Sequence, residues 1–266
     1  MICNFHTHST CCDGRDTPEE LAAYAFENGF SALGFSSHSY IEVDEGYTVP
    51  RDPQPYKDEI ARLKDEYRGR MEIYCGLEQD IFTEIPAEDY DYVIGSVHFV
   101  EKDGEMIGVD YAADLTRDLI DGPYCGDFDA LAEDYFELVA QLPERTGADI
   151  IGHFDLVSKY NDIYGIVEST RYLDAAWKAI ERLIGKCDIF EINTGGMASG
   201  YKNYPYPSPA ILSMLKEAEA RIMLSSDAHK KEHLLYGFNE AAFLAREAGF
   251  TERLIITEKG FEAVEL

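Results

Sequence analysis

Short apolar runs alternate along the chain with longer segments whose apolar positions recur every three or four residues. The runs occupy residues 1–6, 32–36, 71–77, 92–97, 149–154, 187–192 and 221–225, and each has the length of a buried strand. The segments between them read as helices. Thr17-Pro18-Glu19-Glu20 offers an N-cap, a proline at the first helical position and a glutamate at the third, and Gly29 closes that helix. Further helices are predicted over 55–67, 131–141 and 172–184 and from Pro209. Strands separated by helical segments make βαβ units and a parallel sheet, and seven of them in one uninterrupted run favour a barrel over an open sheet. One exception breaks the alternation. Phe99-Val100 and Met106-Ile107 flank Asp103-Gly104, the signature of a type I′ hairpin, which predicts a loop excursion over one face. No fixed-period repeat, low-complexity tract or linker interrupts the chain, so residues 1–266 are expected to form one domain.

The length of 266 residues suits a single α/β barrel. A hydrophobic fraction of 45%, with 18 Tyr and 14 Phe, supplies a core and excludes disorder as the dominant state. Against 51 Asp and Glu stand 23 Lys and Arg, a net charge of −28. Such a chain repels phosphate backbones and anionic membranes, which disfavours nucleic-acid and membrane partners. Neither a signal-like apolar stretch nor a run of about 18 apolar residues occurs, so a soluble, cytoplasmic protein is expected. The six cysteines form no C-x-x-C pair, and Cys75 and Cys187 sit in apolar runs, as reduced cysteines do.

Six of the seven histidines fall at strand ends: His6, His8, His38, His98, His153 and His229. In a parallel barrel those ends open on one face, where groups from different strands converge. Glu78 and Asp227 occupy the same level on the third and seventh strands, and Asp13 follows the first. His6 and His8 are two positions apart, so in an extended segment both rings face one way and can serve one ion. Nine such groups exceed what a single ion uses, which implies two or three divalent ions, with Glu78 suited to bridge two. Each group also has an ordinary alternative. A lone strand-end histidine is commonly a hydrogen-bonded loop residue, Asp13-Gly14 is also a common turn, and Asp227 could cap a helix. His233, four residues after His229, is expected to be an exposed helical histidine outside the site.

These residues resemble the motifs of the PHP (polymerase and histidinol phosphatase) family, in its stand-alone histidinol-phosphatase-like branch. The matching segments are His6-Thr7-His8 with Asp13, Ser36-Ser37-His38, Gly76-Leu77-Glu78, Gly95-Ser96-Val97-His98, Gly152-His153 and Ser226-Asp227-Ala228-His229. The resemblance implies a distorted (β/α)7 barrel with a three-metal centre of zinc, iron or manganese. One ion would take His6, His8, Glu78 and Asp227, a second Glu78, His98 and His153, and a third Asp13, His38 and His229. It further implies hydrolysis of a phosphomonoester, most directly L-histidinol phosphate, by a hydroxide bridging two metals. Asp227 or His229 would protonate the leaving alkoxide.

The sequence departs from this family pattern in the loops that hold substrate. Lys159 follows the fifth strand where relatives carry a basic residue. Relatives often read N-T-G-x-x-x-R-G-Y-R, whereas residues 193–202 place Ser199 and Lys202 at the two arginine positions. Serine loses the charge and lysine the bidentate fork, and Arg15 or Lys230 could compensate. Lys159, Lys202 and Arg15 are the expected substrate contacts, and Tyr201, Tyr204 and Tyr206 a subunit contact or an aromatic wall. The lost arginine keeps open a nucleotide, sugar phosphate or phosphotyrosine as substrate. A metal-dependent amidohydrolase and a non-catalytic metal-binding barrel are the readings from other classes.

Overall fold

The computed structural model describes residues 1–41, 52–83 and 89–266. Its strands are β1 (Cys3–Asn4), β2 (Ala32–His38), β3 (Glu72–Asp80), β4 (Tyr92–Ser96), the pair β5 (Phe99–Lys102) and β6 (Glu105–Gly108), then β7 (Ile150–Ile151), β8 (Ile189–Asn193) and β9 (Arg221–Ser225). Seven of these form one parallel sheet in the order β1-β2-β3-β4-β7-β8-β9. A parallel bridge between Thr7 and Ala228, with His8 N donating to Ala228 O at 2.9 Å, brings the last strand back to the first. The result is a nearly closed seven-stranded α/β barrel, the distorted form expected.

Helices α1 (Pro18–Glu27) and α2 (Gln54–Glu66) follow β1 and β2. Between the β5–β6 hairpin and β7 lie α3 (Ala113–Asp121), α4 (Phe128–Val139) and α5 (Leu142–Thr146). After β7 come α6 (Asn161–Tyr164) and α7 (Thr170–Leu183), after β8 come α8 (Gly195–Ala198) and α9 (Pro209–Glu217), and α10 (Phe238–Glu247) follows β9. The α1 capping box forms as predicted: Thr17 Oγ1 accepts from Glu20 N, and Glu20 accepts from Thr17 N at 3.0 Å. Asp103 and Gly104 both have positive φ, at 53° and 82°, as a type I′ turn between β5 and β6 requires.

The barrel interior is filled by large side chains from the strands. Tyr92 is buried with its hydroxyl donating to Phe5 O at 2.5 Å and Phe35 O at 3.2 Å. Gly34 and Gly76 border its ring, and a Cβ at either would overlap it. Two elements differ from expectation. β1 and β7 are only two residues long, because side chains replace the ladder near the strand ends: Asn4 Oδ1 accepts from His6 N, Ser36 Oγ from Thr7 N, and Glu191 from His153 N. The C-terminal antiparallel pair β10 (Glu252–Thr257) and β11 (Gly260–Glu265) lies outside the alternation read from sequence. Leu254, Ile255 and Ile256 pack with Cys3, Phe5, Ile150, Ile189 and Met223, so this hairpin covers the end of the barrel opposite the histidines.

Candidate metal centre

All nine groups singled out as ligands gather at the C-terminal mouth of the barrel. His38 is the last residue of β2, Glu78 lies within β3, and His98, His153 and Asp227 each follow a strand by two residues. His6 Nε2 and His8 Nε2 stand 3.1 Å apart. His6 Nε2 lies 3.3 Å from Glu78 Oε2 and 3.5 Å from Asp227 Oδ1, and His8 Nε2 lies 3.4 and 3.1 Å from the same two atoms. Glu78 Oε1 meets His153 Nε2 at 2.9 Å and His98 Nε2 at 3.4 Å. Asp13 meets His229 Nε2 at 3.0 Å and His38 Nε2 at 3.6 Å. Two histidines stand between groups. His8 Nδ1 is 3.7 Å from Asp13, and His38 Nδ1 is 2.9 Å from Glu78, so the clusters able to hold an ion are His8/Asp13/His38/His229, His6/His8/Asp227 and His38/Glu78/His98.

Glu78 spans the first two groupings, one oxygen toward each, with Ser96 Oγ donating to Oε1 at 2.7 Å. Asp227 adopts φ of 50°, a left-handed conformation held by the closed backbone around it. A Cβ on Gly195 would stand 3.0 Å from Asp227 Cβ, so a side chain at that position would press on this carboxylate. Burial opposes ionisation of Glu78, but His6, His38 and His98 outweigh it and hold the carboxyl well below its usual range. Burial likewise lowers His6, and Glu191, Asp227 and Glu78 overcome it to raise the imidazole well above its usual value. His229 is pushed up to about 10, its burial overcome chiefly by the hydrogen bond to Asp13.

The donor set fits divalent ions. Asp13 Oδ1 and Glu78 Oε2 are buried with no properly directed hydrogen-bond donor, which is costly unless a cation takes their lone pairs. Mixed imidazole and carboxylate ligands suit zinc, manganese or iron, and loading would displace the protons now shared between rings and carboxylates.

Sequence reasoning missed Glu191, inside the apolar run of β8. It is 1% exposed and takes four hydrogen bonds: from His6 Nδ1 at 2.8 Å, Ser225 Oγ at 2.7 Å, His153 N at 2.5 Å and Asn193 Nδ2 at 2.8 Å. The bond to His6 fixes the ring so that Nε2 faces the cluster, the arrangement that orients metal-binding histidines. A charged residue in a buried strand was the available signal.

Beside the cluster opens a cavity of about 180 Å³ lined by His38, His98, Asp110, Lys159, Ser199, Tyr206, Asp227 and His229, among others. Lys159 Nζ donates to Asp110 Oδ2 at 3.1 Å and to Asp110 O at 2.9 Å. Asp110, carried in by the hairpin excursion, was not foreseen. Two expected contacts are not on this wall. Arg15 is exposed and does not line the cavity. Lys202 is 5% exposed, its ammonium drawn into the protein toward Ser158. Tyr206 lines the cavity, Tyr201 packs edge-on against Tyr160, and Tyr204 covers Lys202. His233 lies outside the clusters, in a short turn after β9.

A family model described as the PHP domain matches residues 4–195. The chain is 30% identical to the histidinol-phosphatase of Bacillus subtilis, over 91% of this chain and 97% of that protein. It is 27% identical to a probable histidinol-phosphatase of Schizosaccharomyces pombe, over 98% of this chain and 90% of that one. A crystal structure of histidinol phosphate phosphatase from Lactococcus lactis, complexed with zinc, L-histidinol and phosphate, superposes with a TM-score of 0.72 at 21% identity, covering 98% of both chains.

Proposed function

Since this chain belongs to the PHP domain family, we propose that it is a metal-dependent phosphomonoesterase whose substrate is L-histidinol phosphate, released as L-histidinol and phosphate. Residues 1–266 act as one domain in this reading, because β9 returns to the segment after β1 and the C-terminal hairpin packs on the strand starts. The ligands are His6, His8, Asp13, His38, Glu78, His98, His153, Asp227 and His229. When bound there, two or three divalent ions would supply hydroxide near neutral pH and neutralise charge on the phosphoryl oxygens.

The observation that carries the substrate assignment is the Lys159–Asp110 pair on the cavity wall. Lys159 offers a cation to the phosphate, and Asp110, 3.1 Å away, offers a carboxylate to a positively charged group close to that phosphate. L-histidinol phosphate carries its ammonium within a few bonds of the ester, so one small molecule answers both charges. Nucleotides and phosphotyrosine bring no such cation beside their phosphate. Asp227 and His229 both line the cavity, and to them falls protonation of the leaving alkoxide, His229 being the more exposed, at 37% against 17%. All six cysteines are free and, among the described residues, no helix is long and apolar enough to cross a membrane, which supports the cytoplasm as its compartment. Ser199 in place of an arginine favours a second reading, another small phosphomonoester of the same chemistry.

Phosphate release by the manganese-loaded protein from L-histidinol phosphate, a nucleoside monophosphate and phosphotyrosine distinguishes these. The expected result is a kcat/KM of about 10⁴ M⁻¹s⁻¹ or more for histidinol phosphate, well above the others. Slow, indiscriminate release would favour the second reading, and no release from any of them would overturn both.

A further inference from the structure

The motif position of Lys202 predicts a phosphate contact, yet Lys202 is buried and is not among the residues that line the cavity. Nζ donates to Ser158 Oγ at 2.7 Å and reaches Ser158 O at 3.4 Å. The rings of Tyr204 and Tyr206 flank the ammonium, with centroids at 4.4 and 5.2 Å. Ser158 Oγ passes a hydrogen bond on to Asp155 Oδ2 at 3.4 Å, and the same oxygen accepts from Ser208 N at 3.1 Å. Asp155 is completely buried, and its Oδ1 has no hydrogen-bond partner. A buried carboxylate of this kind needs a cation nearby, and Lys202 is the one that the serine links to it.

This chain of contacts grips a single tight turn. Leu156 N donates to His153 O, Ser158 N to Asp155 O and Lys159 N to Leu156 O, each at 2.9 Å. His153, at the start of the turn, faces Glu78, and Lys159, at its end, faces Asp110 across the cavity wall. We infer that Lys202 is a positioning residue that, through Ser158 and Asp155, fixes the turn presenting Lys159 to the cavity. The inference rests on the proposed function only in taking phosphate as the ligand of Lys159. It also accounts for lysine at this motif position, because a single flexible ammonium enters a buried site and meets a hydroxyl where a wide guanidinium fork demands several acceptors.

The test compares metal-loaded wild type, K202M, K202R, S158A, K159M and K202M/K159M by amide hydrogen exchange and by inhibition of turnover with inorganic phosphate. K202M is expected to speed exchange at Leu156, Ser158 and Lys159 and to weaken phosphate inhibition about tenfold, the scale of one charge-assisted hydrogen bond. K202R keeps the charge but finds too few acceptors for its fork, so it should restore only part of that loss. In the K159M background, K202M should add nothing further. Losses that multiply in the double variant would mean direct phosphate contact and overturn the inference, as would unchanged exchange in the turn. Should K202M fail to fold, S158A cuts the link with both charges left in place and is expected to give the same two effects. If the wild type neither releases nor is inhibited by phosphate, the phosphatase reading fails while exchange still decides whether Lys202 holds the turn.

Discussion

Substituting glutamine for Glu191 removes one charge from a residue that touches no ion, and the geometry says how the loss should reach the metal centre. Four donors converge on this carboxylate, His6 Nδ1 and Ser225 Oγ on Oε2, His153 N and Asn193 Nδ2 on Oε1. An amide has one acceptor end. The backbone N–H of His153 cannot rotate away, so the amide oxygen remains on its side and the amide nitrogen turns to His6. His6 Nδ1 must then give up its proton to accept, which moves the proton to Nε2, the nitrogen that faces His8, Glu78 and Asp227. A protonated Nε2 cannot ligate. Partners of this kind are worth about 10–100-fold in metal affinity, or roughly 1.4–2.8 kcal/mol. Metal retained by Glu191→Gln and wild type after equilibration with graded chelator, with circular dichroism to confirm folding, reads the effect directly. A folded variant that keeps its metal within twofold of wild type would refute the tautomer argument and the assignment of His6 as a ligand with it.

Stripping the metal should lower the melting temperature, since Asp13 Oδ1 and Glu78 Oε2 are left buried without directed donors; at a free metal concentration of about 1,000 Kd the loss is about 4 kcal/mol, or about 10 °C for a chain of this length. Calorimetry before and after chelation checks this, and an unchanged transition in verified metal-free protein counts against a structural metal centre. Burial, opposed by Lys202, raises the Asp155 carboxyl from its ordinary 3.8 to about 6. Between those values the folded state holds a proton that the unfolded chain has released, so this residue makes stability fall as pH rises from about 4 to 6 and contributes no slope above. Urea midpoints of wild type and Asp155→Asn across that window should therefore diverge in slope, and parallel curves would exclude the effect.

The barrel and the gathering of the nine candidate ligands at its mouth were legible for the same reason. Each β-strand of the sheet had to be a short apolar run, and most of the candidate groups stand where such a run stops, so periodicity and chemistry marked the same places in the chain. His38 at the end of β2 and Glu78 within β3 need only the strand register to face the mouth. Glu191 escaped because it lies inside a run, flanked by Phe190 and Ile192, where hydrophobic periodicity hides a single charge. Asp110 escaped for a different reason. It reaches Lys159 only because the β5–β6 hairpin folds back over the mouth, a contact across 49 residues that no local pattern encodes. Lys202 was legible as a motif position but not as a conformation, since a lysine stem lets the charge point to either side of the wall. The C-terminal hairpin alternates too weakly for a half-exposed pair, its second strand burying no residue fully.

The charge of −28 and the phosphate-binding cavity of the proposed function are compatible because they occupy different parts of the molecule. Acidic residues such as Glu66, Asp127, Glu133 and Glu137 lie half-exposed on the outer helices, several paired with Arg62, Arg171 or Arg182. At physiological ionic strength such surface charges are screened beyond about 8 Å. Within the mouth the imidazoles and Lys159 lie largely buried, where their fields are screened far less, and under the proposed function divalent ions would add to that positive charge. In that reading a compact phosphomonoester would place its charge inside that region, in a cavity that Tyr206 and Leu156 also line. A polyanion must spread along the outer surface as well, where every added phosphate meets carboxylates. Under the proposed function the acidic exterior therefore acts as a size filter, admitting small phosphate esters to the strand ends while turning away nucleic acids that carry the same functional group.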